Sequence, residues 1–102
     1  MSAADLFTTT IIELNDATAE ALRIFPAQET IGFVTVVRGY AQLAGMNPSN
    51  RDYRERLVDA VSKLSEFAME RGGHILARRL LLLADEIRNS SAQLSRSARK
   101  VI

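Results

Sequence analysis

The chain has 102 residues, of which 47% are hydrophobic and 25% are charged, so it is composed like one globular domain and not like a disordered or collagen-like chain. It contains no cysteine, which excludes disulfide scaffolds and zinc sites built on thiolates. The net charge of +1 is unevenly divided, because residues 1–50 hold five acidic and two basic residues, whereas residues 51–102 hold seven acidic and eleven basic residues.

Signals for export or membrane insertion are missing from the sequence. The first basic residue is Arg23, so the amino-terminal stretch lacks the positive flank of a signal peptide. The apolar run from Leu80 to Ala84 is far shorter than the ~20 residues of a membrane span. We therefore expect a cytoplasmic protein without a membrane span.

The first predicted element is an amphipathic helix over about residues 3–25, which Pro26 ends. One face at helical spacing consists of Phe7, Ile11, Leu14, Thr18, Ala21, Leu22 and Phe25. Glu13, Asp16 and Glu20 gather on the opposite face. A di-metal bundle would need its carboxylates in the core beside histidines, so we interpret these three as a candidate acidic face for a partner.

The second predicted element spans about residues 27–44 and carries mixed signals. Helical spacing relates Phe33, Val36, Val37, Tyr40, Leu43 and Ala44. The β-branched residues of TIGFVTVVRGY also suit a strand, so we predict a helix ended by Gly45 as its C′ residue, with a partly stranded segment as the alternative. Arg38 is the only charge between Thr30 and Asn50, and we expect this element to be mostly enclosed.

The stretch YAQLAGMNPS, residues 40–49, resembles the first helix and turn of helix-turn-helix DNA-binding motifs. The small and apolar positions of that motif are filled by Tyr40, Ala41, Ala44, Gly45 and Met46. The resemblance implies a DNA-reading second helix that begins near residues 47–49. It breaks at Arg51 and Arg54, which stand where the motif turns apolar side chains inward. A helix stop made by Gly45 and the following proline accounts for the same residues without DNA.

The third predicted helix covers about residues 50–71, with Ser49 as its amino-terminal cap. Its apolar stripe consists of Tyr53, Leu57, Val61, Leu64 and Ala68. The pairs Asp52–Arg56 and Asp59–Lys63 have the acid four residues before the base, which is the favourable orientation on a helix. We interpret these charges as a solvated face.

The fourth predicted helix covers about residues 74–100 and follows a turn at Gly72-Gly73. Its main apolar stripe consists of Leu76, Leu80, Leu83, Ile87, Leu94, Ala98 and Val101. Ile75 and Leu82 are seven residues apart on a different face, where they begin a second apolar stripe. We predict that this stripe is an oligomer interface, with burial against another helix of the same chain as an equal alternative.

A basic face on the fourth helix is a second candidate site for a partner. It consists of Arg78, Arg88, Arg96, Arg99 and Lys100. Such a face suits phosphates, anionic lipid head groups or acidic protein, although a charged helix face is most often only solvated.

Few residues suggest catalysis. His74 is the only histidine, it follows Gly-Gly, and it lacks a nearby acidic partner, so we predict a helix-start role and not phosphotransfer. Asp85 and Glu86 are adjacent on a helix and do not converge on one proton. Neither a phosphate-binding glycine loop nor a nucleophile elbow is present. We expect no enzymatic activity, no metal site and no cofactor.

Together these patterns predict one all-α domain over residues 1–102, built as a four-helix bundle or as paired helical hairpins, which dimerises. The predicted function is that of a non-enzymatic regulatory protein of the adaptor type, which self-associates and docks on a partner protein. The alternative is a small DNA-binding regulator that uses residues 40–57 and the basic fourth helix.

Overall fold

A computed structural model describes the backbone of residues 3–100 and the side chains of residues 7–90. It contains four α-helices: α1 Ala3–Ile24, α2 Gln28–Met46, α3 Arg51–Glu70 and α4 His74–Lys100. Residues 3–100 include no strand, so the predicted all-α class is confirmed and the stranded alternative for residues 27–44 is wrong. The predicted limits of all four helices lie within two residues of those observed.

The helices pack in a ring. Each helix contacts the next in the chain, and α4 closes the ring by packing against α1. Contacts between α1 and α4 run in opposite directions along the two helices: Thr10 donates to Glu86 Oε2 at 3.3 Å, and Arg79 Nη1 donates to Glu20 Oε2 at 2.9 Å. This contact pattern, with short turns between neighbouring helices, is that of an up-and-down four-helix bundle.

The core is formed by the apolar stripes of the four helices. Its largest fully buried apolar side chains are Phe7, Leu14, Val37, Leu57, Val61, Leu64, Leu80 and Ile87. All eight belong to the stripes that the sequence predicts. Helical spacing identified the inner faces of α1, α3 and α4 because each has a charged or polar face opposite, which leaves one side to bury.

The inner face of α2 differs from the predicted one. Val34 and Ala41 are buried, whereas Val36 and Leu43 face solvent. The expectation that α2 is mostly enclosed is therefore wrong. An uncharged helix has no polar face to mark its outer side, so its spacing alone does not locate the core.

The residues that end α2 and cap α3 differ from the predicted ones, Gly45 and Ser49. Gly45 lies inside α2, which continues to Met46 and ends with Asn47 as its C-cap. The side chain of Asn50, and not that of Ser49, caps α3 by accepting a hydrogen bond from the Tyr53 amide at 3.0 Å. Both asparagines take part in the turn, because the Asn50 amide donates to the Asn47 carbonyl at 2.9 Å.

The Gly72-Gly73 turn between α3 and α4 is confirmed. Gly72 has a φ of +84°, a backbone conformation that residues other than glycine rarely adopt. Gly73 packs so closely that an added Cβ would lie 2.7 Å from the ring of Phe25. Both glycines are therefore required by the backbone path that brings α4 against α3.

Candidate interaction surfaces

The outer face of α4 carries the two apolar residues that the core stripe does not explain. Ile75 is 89% exposed and Leu82 is 58% exposed, although α4 also contacts both α1 and α3. Burial against another helix of the same chain, the alternative weighed from the sequence, is therefore not what the structure shows. Ile75 and Leu82 therefore form an exposed apolar line, which we call the α4 patch and which is available to a second molecule. Leu81 is exposed as well, but it lies beyond Arg78 and Asp85 around the helix.

Charged residues flank this patch in an ordered way. Arg78 and Asp85 are exposed beside Leu82, and Asp85 accepts a hydrogen bond from Arg88 Nη1 at 3.2 Å. Arg79 and Glu86 lie on the other flank and bond to α1. Arg78 and Asp85 on the outer flank therefore face solvent, whereas Arg79 and Glu86 on the inner flank form hydrogen bonds to α1.

The predicted basic face is only partly within the described side chains. Arg78 and Arg88 are exposed on α4. The backbone of α4 continues to Lys100, but the side chains of Arg96, Arg99 and Lys100 lie outside the described residues. Arg88 is already in an exposed ion pair with Asp85, so Arg78 is the described member of this face that has no ion pair with another described residue.

The predicted acidic face separates into two parts. Glu13 and Asp16 are exposed on α1. Glu20 is half-buried and lies between α1 and α4, where it pairs with Arg79 at 2.9 Å and with Arg23 at 3.8 Å. Glu20 thus differs from Glu13 and Asp16, because its position at the helix edge lets it reach a base on the neighbouring helix. The use of these carboxylates by a partner stays a prediction.

The outer face of α2 is a surface that sequence reasoning missed. Five of the exposed residues of α2 form one line along the helix: Gly32, Val36, Gly39, Leu43 and Met46, and we call them the α2 seam. They follow one another at intervals of four, three, four and three residues, which is the spacing of a helix–helix contact. This alternating interval was the signal in the sequence that could have found the seam.

No side chain of the bundle requires the two glycines of the α2 seam. A Cβ added at Gly32 or at Gly39 would meet nothing within 4 Å. We expect Gly39→Ala to raise the free energy of unfolding by about 0.5–1 kcal/mol, because alanine loses less backbone entropy in a helix than glycine does. Chemical denaturation of the dilute protein measures this change.

The matched control is Gly72→Ala. Because Gly72 has a positive φ, we expect its replacement to lower the free energy of unfolding by about 1 kcal/mol. A loss of stability in Gly39→Ala as well would contradict the assignment of Gly39 to open surface.

The segment that resembles a helix-turn-helix motif is arranged differently from that motif. The two helices of such a motif cross at roughly 90–120°. Here α2 and α3 contact one another far along their lengths: Arg56 Nη1 lies 3.4 Å from the Tyr40 hydroxyl, and the rings of Phe33 and Phe67 have centroids 5.1 Å apart. These helices form an antiparallel hairpin, so the resemblance does not extend to their packing.

Arg54 stands at a position where a helix-turn-helix motif has an inward-facing apolar side chain. It is only 2% exposed, so it does face inward, and its guanidinium donates a hydrogen bond to the carbonyl of Pro48 in the preceding turn. Burial, followed by the nearby charge of Arg51, lowers the pKa of Arg54, and Glu55 acts in the opposite direction. Arg54 thus stabilises the turn between α2 and α3 from inside.

Arg56 is held on the surface of the same hairpin. Its hydrogen bond from the guanidinium to the Tyr40 hydroxyl raises the pKa of Arg56, and the carboxylate of Asp52, 2.9 Å away, acts in the same direction. Arg56 is therefore held by two side chains of the same molecule, those of Tyr40 and Asp52. Arg54 and Arg56 of the 40–57 segment are therefore both engaged within the α2–α3 hairpin.

His74 is the first residue of α4 and is exposed. Its Nδ1 lies 2.7 Å from the sulfur of Met69, and no carboxylate contacts it among the described side chains.

A groove between α1 and α2 is lined by Ile11, Asn15, Arg38, Ala41 and Gln42, and there Arg38 Nε donates to the Thr18 hydroxyl at 3.1 Å. Within the described part of the chain, no three acidic or histidine side chains are grouped to hold a metal ion.

None of the four helices, over the residues that the structure describes, combines the length and the hydropathy needed to cross a membrane. Comparison of the chain with protein families, with curated proteins and with solved structures gave no match.

Proposed function

We propose that this chain is a non-enzymatic, cytoplasmic interaction protein of the regulatory or adaptor type, which self-associates and docks on a partner protein. The observation that carries the proposal is the presence of two apolar surfaces outside the core, the α4 patch and the α2 seam. Neither surface belongs to the buried cluster of the described residues, in which each helix has its own stripe. Exposed contiguous apolar residues on a small protein mark sites of association.

We assign self-association to Ile75 and Leu82 on α4. These residues are at the centre of a surface whose exposed charges include both signs, Arg78 and Asp85. A charged surface that binds a copy of itself is favoured when it has both signs, because each charge can then face an opposite charge on the copy.

We assign partner docking to the α2 seam. Its five residues include no charge, and the two glycines leave room for a close approach. A charged segment would lose hydration there without gaining an ion pair. The seam therefore fits an uncharged apolar helix of the partner, which would pack along Val36 and Leu43.

The proposed self-association is tested with Leu82→Glu. We expect this change to shift the protein to the monomer in sedimentation equilibrium, because it buries an unpaired carboxylate in the contact. The matched control is Ile12→Glu on α1, since Ile12 has the same 58% exposure as Leu82 but lies on another helix. Circular dichroism checks that both variants fold. Equal association of the two variants would overturn the assignment to α4.

A DNA-binding regulator is the second candidate, and the observation that favours it is the exposed Arg78 and Arg88 on α4. It has less support than protein docking because Arg54 and Arg56 of the 40–57 segment bond within the chain. Binding of random duplex DNA that weakens steeply with salt, with a slope reduced by replacing Arg78 and Arg88, would favour this second candidate.

A further inference from the structure

The charges of α4 are arranged symmetrically about Leu82. Arg78 and Arg79 precede Leu82 by four and three residues, and Asp85 and Glu86 follow it by three and four. At about 100° per residue, Arg78 and Asp85 fall on one flank of the line from Ile75 to Leu82, and Arg79 and Glu86 on the other. Each flank therefore has one base on the amino-terminal side of Leu82 and one acid on the carboxy-terminal side.

We propose that two copies of this chain associate through antiparallel α4 helices, related by a two-fold axis that passes beside Leu82. The inference rests on the proposed self-association and adds its geometry. Leu82 of one copy meets Leu82 of the other, and Arg78 of each copy meets Asp85 of the other. Such a two-fold axis brings like flanks of the two helices together, so both ion pairs form on the same side of the contact.

The alternative orientation of the same surface is unfavourable. Parallel α4 helices related by a two-fold axis along their length would place the Arg78–Asp85 flank of one copy against the Arg79–Glu86 flank of the other, so that bases face bases and acids face acids. Like charges that face one another across an interface oppose binding. The antiparallel arrangement replaces both repulsions with attractions, and it also sets the helix dipoles in opposite directions.

The residues needed for this contact are accessible in the single chain. Arg79 and Glu86 are occupied by Glu20 and Thr10 of α1, whereas Arg78 and Asp85 are exposed. The pair between Asp85 and Arg88 is itself exposed. Exposed pairs contribute little to stability, so Asp85 is able to exchange Arg88 for Arg78 of the second copy.

The size of the patch sets the expected strength. From Ile75 to Asn89 the contact extends over about 21 Å of one helix, at ~1.5 Å per residue. A contact one helix wide buries less area than the ~1,600 Å² of a typical stable complex. We therefore expect a reversible dimer whose population depends on protein concentration.

The test uses two charge reversals in the full chain, Arg78→Glu and Asp85→Arg. We expect each variant alone to associate about tenfold more weakly than the original chain, because like charges then face each other. We expect an equimolar mixture of the two variants to recover the association, since in the mixed dimer every charge again meets its opposite. Sedimentation equilibrium measures each sample, and a fluorescent label on one variant identifies the mixed dimer.

The control is Lys63→Glu, an equal reversal of an exposed charge on the outer face of α3, which we expect to leave association unchanged. Three outcomes overturn the inference. Association that neither reversal weakens would exclude the charge contacts, even if Leu82→Glu gives monomers and the proposed self-association stands. Weakening without recovery in the mixture would exclude the antiparallel register. An original chain that is monomeric at all concentrations would overturn the proposed self-association as well, and would leave the α4 patch to another protein.

Discussion

Replacement of Phe67 with alanine is expected to lower the free energy of unfolding by about 3–5 kcal/mol. The ring of Phe67 is buried between two others, with centroid distances of 6.1 Å to Phe25 and 5.1 Å to Phe33. Arg71 lies 4.4 Å above the same ring and also pairs with Glu29 of α2 at 2.9 Å. Loss of this ring opens a cavity where α2, α3 and the α1–α2 turn meet.

Chemical denaturation followed by circular dichroism measures this loss. Met69→Ala is the control, because Met69 is exposed on the same helix two residues away and its truncation is expected to change stability by no more than about 0.5 kcal/mol. If the two variants lost similar amounts of stability, the aromatic cluster would not be the contact that holds this end of the bundle.

Replacement of Arg54 with alanine is expected to lower the free energy of unfolding by about 2–3 kcal/mol, the cost of removing a buried hydrogen bond from a charged donor. The guanidinium of Arg54 bonds to the Pro48 carbonyl, and its side chain is enclosed at the start of α3. Its removal leaves a space in the first turn of α3 and takes a donor from the turn.

Two further variants separate the parts of this effect. Arg54→Met keeps the packing of the aliphatic stem and removes the buried charge, so we expect a smaller loss than with alanine. Arg51→Ala removes an exposed arginine three residues earlier, and we expect its effect to stay within about 0.5 kcal/mol. An Arg54→Ala variant as stable as Arg51→Ala, in the same denaturation experiment, would show that the turn does not depend on the guanidinium.

The two proposed surfaces lie on helices that do not adjoin in the ring, since α2 packs between α1 and α3 and α4 packs between the same two helices. A dimer formed through α4 therefore leaves the α2 seam of both copies exposed. One dimer would then present two partner-binding helices, which increases its effective affinity for any partner that itself has two sites.

The sequence alone was sufficient to predict the number, class and approximate limits of the helices. Turn and helix-stop residues divide the chain where the helices end, at Pro26, in the turn before Arg51 and at Gly72-Gly73. In α1, α3 and α4 the inner face could be read as well, because charges occupy the opposite face. In α2 it could not, since Val36 and Val34 are equally apolar and nothing local distinguishes which one the bundle covers.

Tertiary structure decided the features that depend on neighbouring helices. Helical spacing placed Ile75 and Leu82 together, but only the packing of α4 against α1 and α3 showed that neither helix covers them. The same packing brings Arg79 of α4 close enough to form an ion pair with Glu20 of the predicted acidic face. Periodicity describes one helix at a time, whereas burial and ion pairing depend on what stands opposite, and that is set by the fold of the whole chain.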